Sequence, residues 1–344
     1  MKRVVLIFVL LASILTLMHL KGAEAAQITD MYGRSVVLPD RITRVLGASP
    51  PVTYLVYTID PSLLVALNLP ADEDLKKFLR PETMKLPVVG GFGGQGRNFN
   101  AEVLMGVRPD LVLAWVSRSG TLPPRIEQIL STSGIPSAYV KLDSMSDYPA
   151  AYEFVGGLLG RQPRGRELAD YFRRELKKLE AFSSRIPAEK RVSVYFAEEM
   201  DGLTTVSSAS VHGEAVALAG GKNVHGSGSQ NDRVKDRISI ERVLAYDPEV
   251  IIAQDETFFK GIYQDPRWSA IKAVRNKRVY LIPDVPFDWM DRPPSFLRLM
   301  GAKWLAAVLY PQTSGINLIS ETREFYRLFF GVSPTDEEIR AIFK

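Results

Sequence analysis

The chain of 344 residues contains no cysteine and only three histidines. The first absence excludes disulfides, thiolate metal sites and a lipid-modified cysteine. The second leaves no HxxxH or HExxH pair, so a bare transition metal held by protein side chains alone is poorly served. His19 falls in a leader-like segment, which leaves His212 and His225 as weak candidates for an axial metal ligand; a lone histidine is more often structural. Charge of one sign is also scarce. The formal net charge is +4, and Lys2, Arg3 and Lys21 against Glu24 place half of it in the first 25 residues. With no basic stripe interleaved with aromatics, a nucleic-acid partner is not expected. Nucleophile–base pairs, metal triads and cofactor fingerprints are missing too, so neither an enzyme nor a resident cofactor is expected.

What is present is ordinary globular composition, 46% hydrophobic and 24% charged, enough for two domains with cores. Lys2-Arg3, an apolar run over residues 4–18 and Ala23-Glu24-Ala25 have the layout of a secretory signal peptide cleaved near Ala25/Ala26. An uncleaved anchor is the alternative, though the run is short for a membrane span. No later stretch is apolar for long enough to cross a bilayer, and the expected location is the periplasm.

The organising feature is one stretch written twice, at residues 100–114 and 239–253. Each copy starts with a helix-capping residue, Asn100 or Ser239, and has a glutamate two places on, Glu102 or Glu241. Those positions suit free backbone N–H groups and the positive end of a helix. Each copy then breaks at a proline, Pro109 or Pro248, followed by an acid. Each ends in an unbroken apolar run, residues 111–114 or 250–253, as expected of strands covered on both faces of a parallel sheet. A unit that recurs once implies two lobes of like construction, not a solenoid.

Around these units strands and helices alternate over residues 27–142 and again from 192 onward, the pattern of α/β lobes with parallel central sheets. Between them, apolar residues from Tyr148 to Leu179 recur at helical spacing with one break at residues 160–163, predicting one long helix or two in line. The predicted organisation is a signal peptide (1–25), an N-terminal Rossmann-like lobe (26–145), a connecting helix (146–186) and a C-terminal Rossmann-like lobe (187–344).

Together with residues 288–295 (Asp-Trp-Met-Asp-Arg-Pro-Pro-Ser), this layout resembles the periplasmic substrate-binding proteins of ABC importers for iron–siderophores, haem and cobalamin. The resemblance covers nearly the whole chain after residue 26. It implies two lobes joined by a stiff helix, a ligand in the cleft between them, and an inner-membrane permease dimer as partner. It also implies that Glu102 and Glu241 sit on the outer tips of the lobes and engage permease arginines. Taken singly, either glutamate could equally serve its own helix N-terminus. A monomer is expected.

Ligands of open α/β lobes bind beyond the C-terminal strand ends. That rule selects residues 48–54, 90–99, 115–118, 197–201 with 254–259, and 284–292. Within them, Tyr54, Trp115 and Trp289 could supply aromatic walls for a flat chelate, and Arg97 and Arg292 could bind an anionic group. Each tryptophan could instead fill the core of its own lobe, and Arg292 could pair with Asp288 or Asp291. Tyr57, one helical turn from Tyr54, makes one of that pair a core residue. The expected cargo is a metal chelate such as a ferric siderophore, haem or corrinoid. The alternatives are a small oxyanion such as molybdate or tungstate and, less favoured, a chelatase-like enzyme.

Overall fold

The computed structural model describes residues 27–71, 74–92, 99–116, 120–226 and 235–343. The leader and Arg97 therefore lie outside the described residues.

The chain enters through a hairpin, β1 (Gln27–Thr29) and β2 (Ser35–Val37), turned at Gly33 with φ 80°. The hairpin docks through buried Asp30, whose carboxylate accepts from Tyr32 N and Arg34 N on one side and Tyr139 N on the other. The N-terminal lobe is a parallel sheet in the order β3 (Val45–Gly47), β4 (Leu111–Ala114), β5 (Ser137–Tyr139). Its main helices are α1 (Pro50–Ile59), α2 (Ala101–Val107) and α3 (Pro124–Thr132). The C-terminal lobe is a second parallel sheet, with spatial order β11 (Val279–Leu281), β10 (Val250–Ala253), β6 (Ser193–Ala197), β8 (Lys222–Asn223). A separate antiparallel ribbon pairs β7 (Thr204–Val206) with β9 (Lys235–Arg237). The duplicated units thus occupy two different sheets, as their repetition implied.

The segment between the lobes holds α4 (Tyr148–Leu158) and α5 (Gln162–Ser183). They are not in line. Gly160, at φ 65°, turns the chain back, and the helices pack face to face. Contact is so close at Gly156 and Gly165 that a Cβ on Gly165 would lie 2.5 Å from the Tyr152 carbonyl oxygen. Further along, Tyr148 stacks on Phe172 at 5.0 Å. The break that read as an interruption is a helical hairpin, because two glycines nine residues apart remove the side chains that would hold the helices separate. The long connector is α5 alone, 22 residues and about 33 Å.

The strands are buried on both faces, and the faces belong to different cores. Val45, Leu111 and Leu113 of the first sheet and Val194, Phe196, Val250 and Ile252 of the second all enter one continuous central core. Their alternates face separate outer cores: Leu46, Val112 and Ala114 in one lobe, Tyr195, Ala197, Ile251 and Ala253 in the other. The central core also takes in α8 (Arg298–Leu309) and α9 (Leu318–Phe330). Phe330 of α9 reaches Tyr57 and Phe78 in the N-terminal lobe, and Phe329 reaches Tyr152 of α4. Helix α10 (Asp336–Ile342) closes the chain behind a capping box formed by Thr335 and Glu338. Among the described residues, no helix is long and apolar enough to cross a membrane.

Candidate ligand cleft and docking faces

Segments that follow strand ends of the two sheets meet. Tyr54, in the helix that follows β3, stacks on Phe287, in the segment that follows β11, with ring centroids 4.4 Å apart. Nearby, Glu214 of α6 (Glu214–Leu218) in the C-terminal lobe accepts from the Met145 backbone N–H at the entrance to the connector. The same carboxylate pairs with fully buried Arg298 at 3.0 Å.

On the N-terminal side, the strand-end loops are drawn together by one buried side chain. Asn68 donates to the carbonyls of Gly47 and Gly90 and accepts from the Thr53 hydroxyl at 2.6 Å. Gly47 is required here, since a Cβ would fall 2.5 Å from Thr53 N. Trp115 stands where β4 surfaces. It is half-buried, and its indole N–H donates to Asp143 at 3.0 Å. Tyr57, as the pairing with Tyr54 implied, is core: its hydroxyl donates to the Phe78 carbonyl and accepts from Arg80 N.

The C-terminal side is a network of charge. Glu198, the residue after β6, and Asp291, in the loop after β11, have fully buried carboxylates. Lys235 of β9 bridges both, lying 3.0 Å from Asp291 and in contact with Glu198. Buried His212 pairs with the other oxygen of Asp291. Arg292 reaches Glu199 at 2.6 Å, Glu198 at 3.2 Å and Asp291 at 3.5 Å. Oε1 of Glu198 is buried with no partner among the described residues. Burial, then the neighbouring Asp291, pushes the Glu198 carboxyl up to about 7 against the pull of Lys235. Burial also opposes ionisation of Asp291, but His212 and Lys235 outweigh it and hold that carboxyl below the usual range. Asp288, buried beside them, is pushed up to about 6 although it accepts from Met290 N and Asp291 N.

One expectation needs correction. Trp289 is not a cleft wall. It is fully buried, its N–H donates to the Val285 carbonyl at 2.8 Å, and it packs on Tyr326 and Phe343. Gly301 leaves room for its backbone: a Cβ there would lie 2.3 Å from the Trp289 carbonyl oxygen. Arg292 pairs with Asp291 as allowed for, but Asp288 is not its partner, and Glu198 and Glu199 complete the set. Both histidines are engaged by other side chains, the structural alternative for each. His225 spends both ring nitrogens on Tyr246 and Asp236, His212 is paired with Asp291, and no group of three metal-ligating side chains occurs among the described residues. Sequence reasoning missed Asn68, Asp143 and Lys235. The strand-end rule could have found Asp143, which lies just beyond β5. Lys235 arrives on a ribbon that no periodicity announced.

The duplicated units match down to their terminations. Asn100 caps α2 by accepting from Glu102 N and Val103 N, and Ser239 caps α7 (Ile240–Tyr246) by accepting from Arg242 N. Both helices end on a left-handed residue, Arg108 at φ 40° and Asp247 at φ 37°. The acid after each proline staples the neighbouring strand: Asp110 accepts from Thr43 N and Arg44 N, and Glu249 from Ser193 N. Glu102 and Glu241 are both exposed. A hydrogen bond from the Ser239 side chain, separate from the cap, holds the Glu241 carboxyl below its ordinary value.

These features define a two-lobed receptor of the kind that hands solutes to a membrane importer. The periplasmic binding protein family matches residues 80–286, and the chain belongs to it. Among solved structures, it is similar to an ABC transporter solute-binding protein from Sulfurospirillum deleyianum, 35% identical, with a TM-score of 0.86 over 93% of this chain and 99% of that one. Among curated relatives, it is 25% identical to the molybdate-binding protein MolA of Haemophilus influenzae over 94% of this chain and 96% of that one. It is 27% identical to a vitamin B12-binding protein of Pectobacterium carotovorum over 61% of this chain and 70% of that one.

Proposed function

We propose that this protein captures a metal-bearing solute between its lobes in the periplasm and delivers it to an ABC importer, docking through Glu102 and Glu241. The observation that carries this reading is the duplicated unit, which presents one exposed acid per lobe while segments beyond the strand ends of the two sheets meet at Tyr54 and Phe287. The primary cargo reading is a metal chelate. Tyr54, Phe287 and Trp115 supply aromatic surface at the strand ends, and relatives include a vitamin B12-binding protein. A small oxyanion is the second reading, favoured by the withdrawal of Trp289 into the core and by end-to-end similarity to a molybdate-binding protein. In that case Arg292 would exchange its carboxylate partners for the ligand.

Calorimetry with cyanocobalamin, haemin, a ferric siderophore and sodium molybdate tests the proposal. One of them should bind tightly, one to one, and be recovered unchanged. Trp115→Ala should weaken a chelate selectively, and Arg292→Ala should weaken an oxyanion selectively. Consumption of a bound compound, or no binding of any of the four by protein stripped of endogenous solute, would count against the reading.

A further inference from the structure

Few large apolar side chains stand exposed among the described residues: Val37, Leu69, Met105, Met200, Leu244 and Tyr263. Two of the six occupy the same place in the duplicated unit. Met105 is the fifth residue after the cap Asn100 and is 48% exposed; Leu244 is the fifth after the cap Ser239 and is 38% exposed. Each follows its glutamate by three residues, Glu102 to Met105 and Glu241 to Leu244. That spacing sets the two side chains beside each other on one helix face, about 5–6 Å apart at Cβ. The residues immediately before them, Leu104 and Val243, are buried in their own lobes' outer cores. Met105 and Leu244 are therefore not spillover from a core stripe. The Ser133 hydroxyl donates to the Met105 sulfur at 3.3 Å.

We infer that Met105 and Leu244 are a matched pair of apolar knobs, and that each docking face is a two-part device: a glutamate with an apolar side chain one turn further on. The inference rests on the docking reading above. The partner it fits is a membrane protein with two equivalent sites, each setting a cationic side chain beside an apolar socket. The acid supplies orientation and a salt-sensitive on-rate. The knob supplies the desolvated contact, which costs nothing in specificity between the two lobes because both present it. Helices of only seven residues could not hold such knobs steadily by themselves. Here each is fixed at both ends, by its cap and by the strand staple at Asp110 or Glu249.

The test is binding of fluorescently labelled protein to its importer in nanodiscs, at low and high salt. The variants are Met105→Ser with Leu244→Ser, Glu102→Gln with Glu241→Gln, and Val37→Ser as an exposed apolar control outside the units. Far-UV circular dichroism confirms that all remain folded. The knob pair should weaken docking about tenfold or more while leaving its salt dependence in place. The acid pair should weaken docking and flatten the salt dependence, and Val37→Ser should match the parent. Docking unchanged in the knob pair but weakened in the acid pair would overturn this inference and leave the docking reading standing. Docking unchanged in both pairs would overturn both.

Discussion

Glu198 shows how one residue at a strand end can carry more than its own charge. It is buried against Asp291 and shares Lys235 with it, and Arg292 leans on it from the solvent side. Because its folded pKa of about 7 stands above the ordinary 4.5, the native state holds more protons than the unfolded chain between those values. The sign follows: this group's contribution is intact below about pH 4.5 and is lost as pH rises through about 7. Glu198→Gln should therefore gain on the parent across that window, by on the order of 2 kcal/mol at pH 8 relative to pH 4.5. Urea denaturation of both proteins at the two pH values measures this directly, and equal differences would rule it out. Little of this was legible in the sequence. Arg292 and its acidic neighbours stood out locally, but Glu198 comes from the end of β6, 94 residues before Arg292, and Lys235 from a ribbon with no amphipathic signature.

At the scale of elements, buried charge also fixes the connector. Glu175, on the inner face of α5, pairs with Lys303 of α8 at 2.7 Å, and both side chains are almost wholly buried. Lys303 in turn holds Glu321 of α9, and Lys178 and Arg174 complete the shell of Glu175. Burial opposes ionisation of Glu175, but these cations outweigh it and bring the carboxyl down to about 2. Stability from this group is present above about pH 4.5 and lost as pH falls through about 2. Removing one partner strands the other charge, so Glu175→Gln or Lys303→Met alone should each cost about 3–5 kcal/mol. The double variant should cost less than the sum, and chemical denaturation of all four proteins closes the cycle. Strict additivity would show the pair to be uncoupled. The elements themselves were readable, because caps, prolines and unbroken apolar runs are local signals. The packing of α4 on α5 was not, since a glycine break announces a turn but not its angle.

For the whole molecule, the central core settles how far the lobes can part. Inner-face residues of both sheets share it, and α9 places aromatic rings against Tyr57 of the N-terminal lobe, Tyr171 of the connector and Phe296 of the C-terminal lobe at once. Opening the cleft widely would expose that surface, at about 25 cal/mol per Å² of apolar area. Small-angle scattering should accordingly give nearly the same radius of gyration with and without solute. A large contraction on loading would contradict the continuous core. Two lobes could be foreseen because the unit repeats; their fusion into one core could not, since a strand covered on both faces gives no sign of which neighbour covers which face. Trp289 makes the same point at the site. A proline-bounded tryptophan can face outward or inward, and only the place of α10 and Phe343 decides it.

The stapling of both capped helices to their sheets has a consequence for traffic. With Asp110 and Glu249 tying each capped helix to its own strand, and one core joining the strands, the span between Glu102 and Glu241 should be the same with and without solute. On the docking proposed above, an importer that reads that span alone would accept both, so vacant couriers would compete for the berth. Transport should then slow when the receptor outnumbers its cargo.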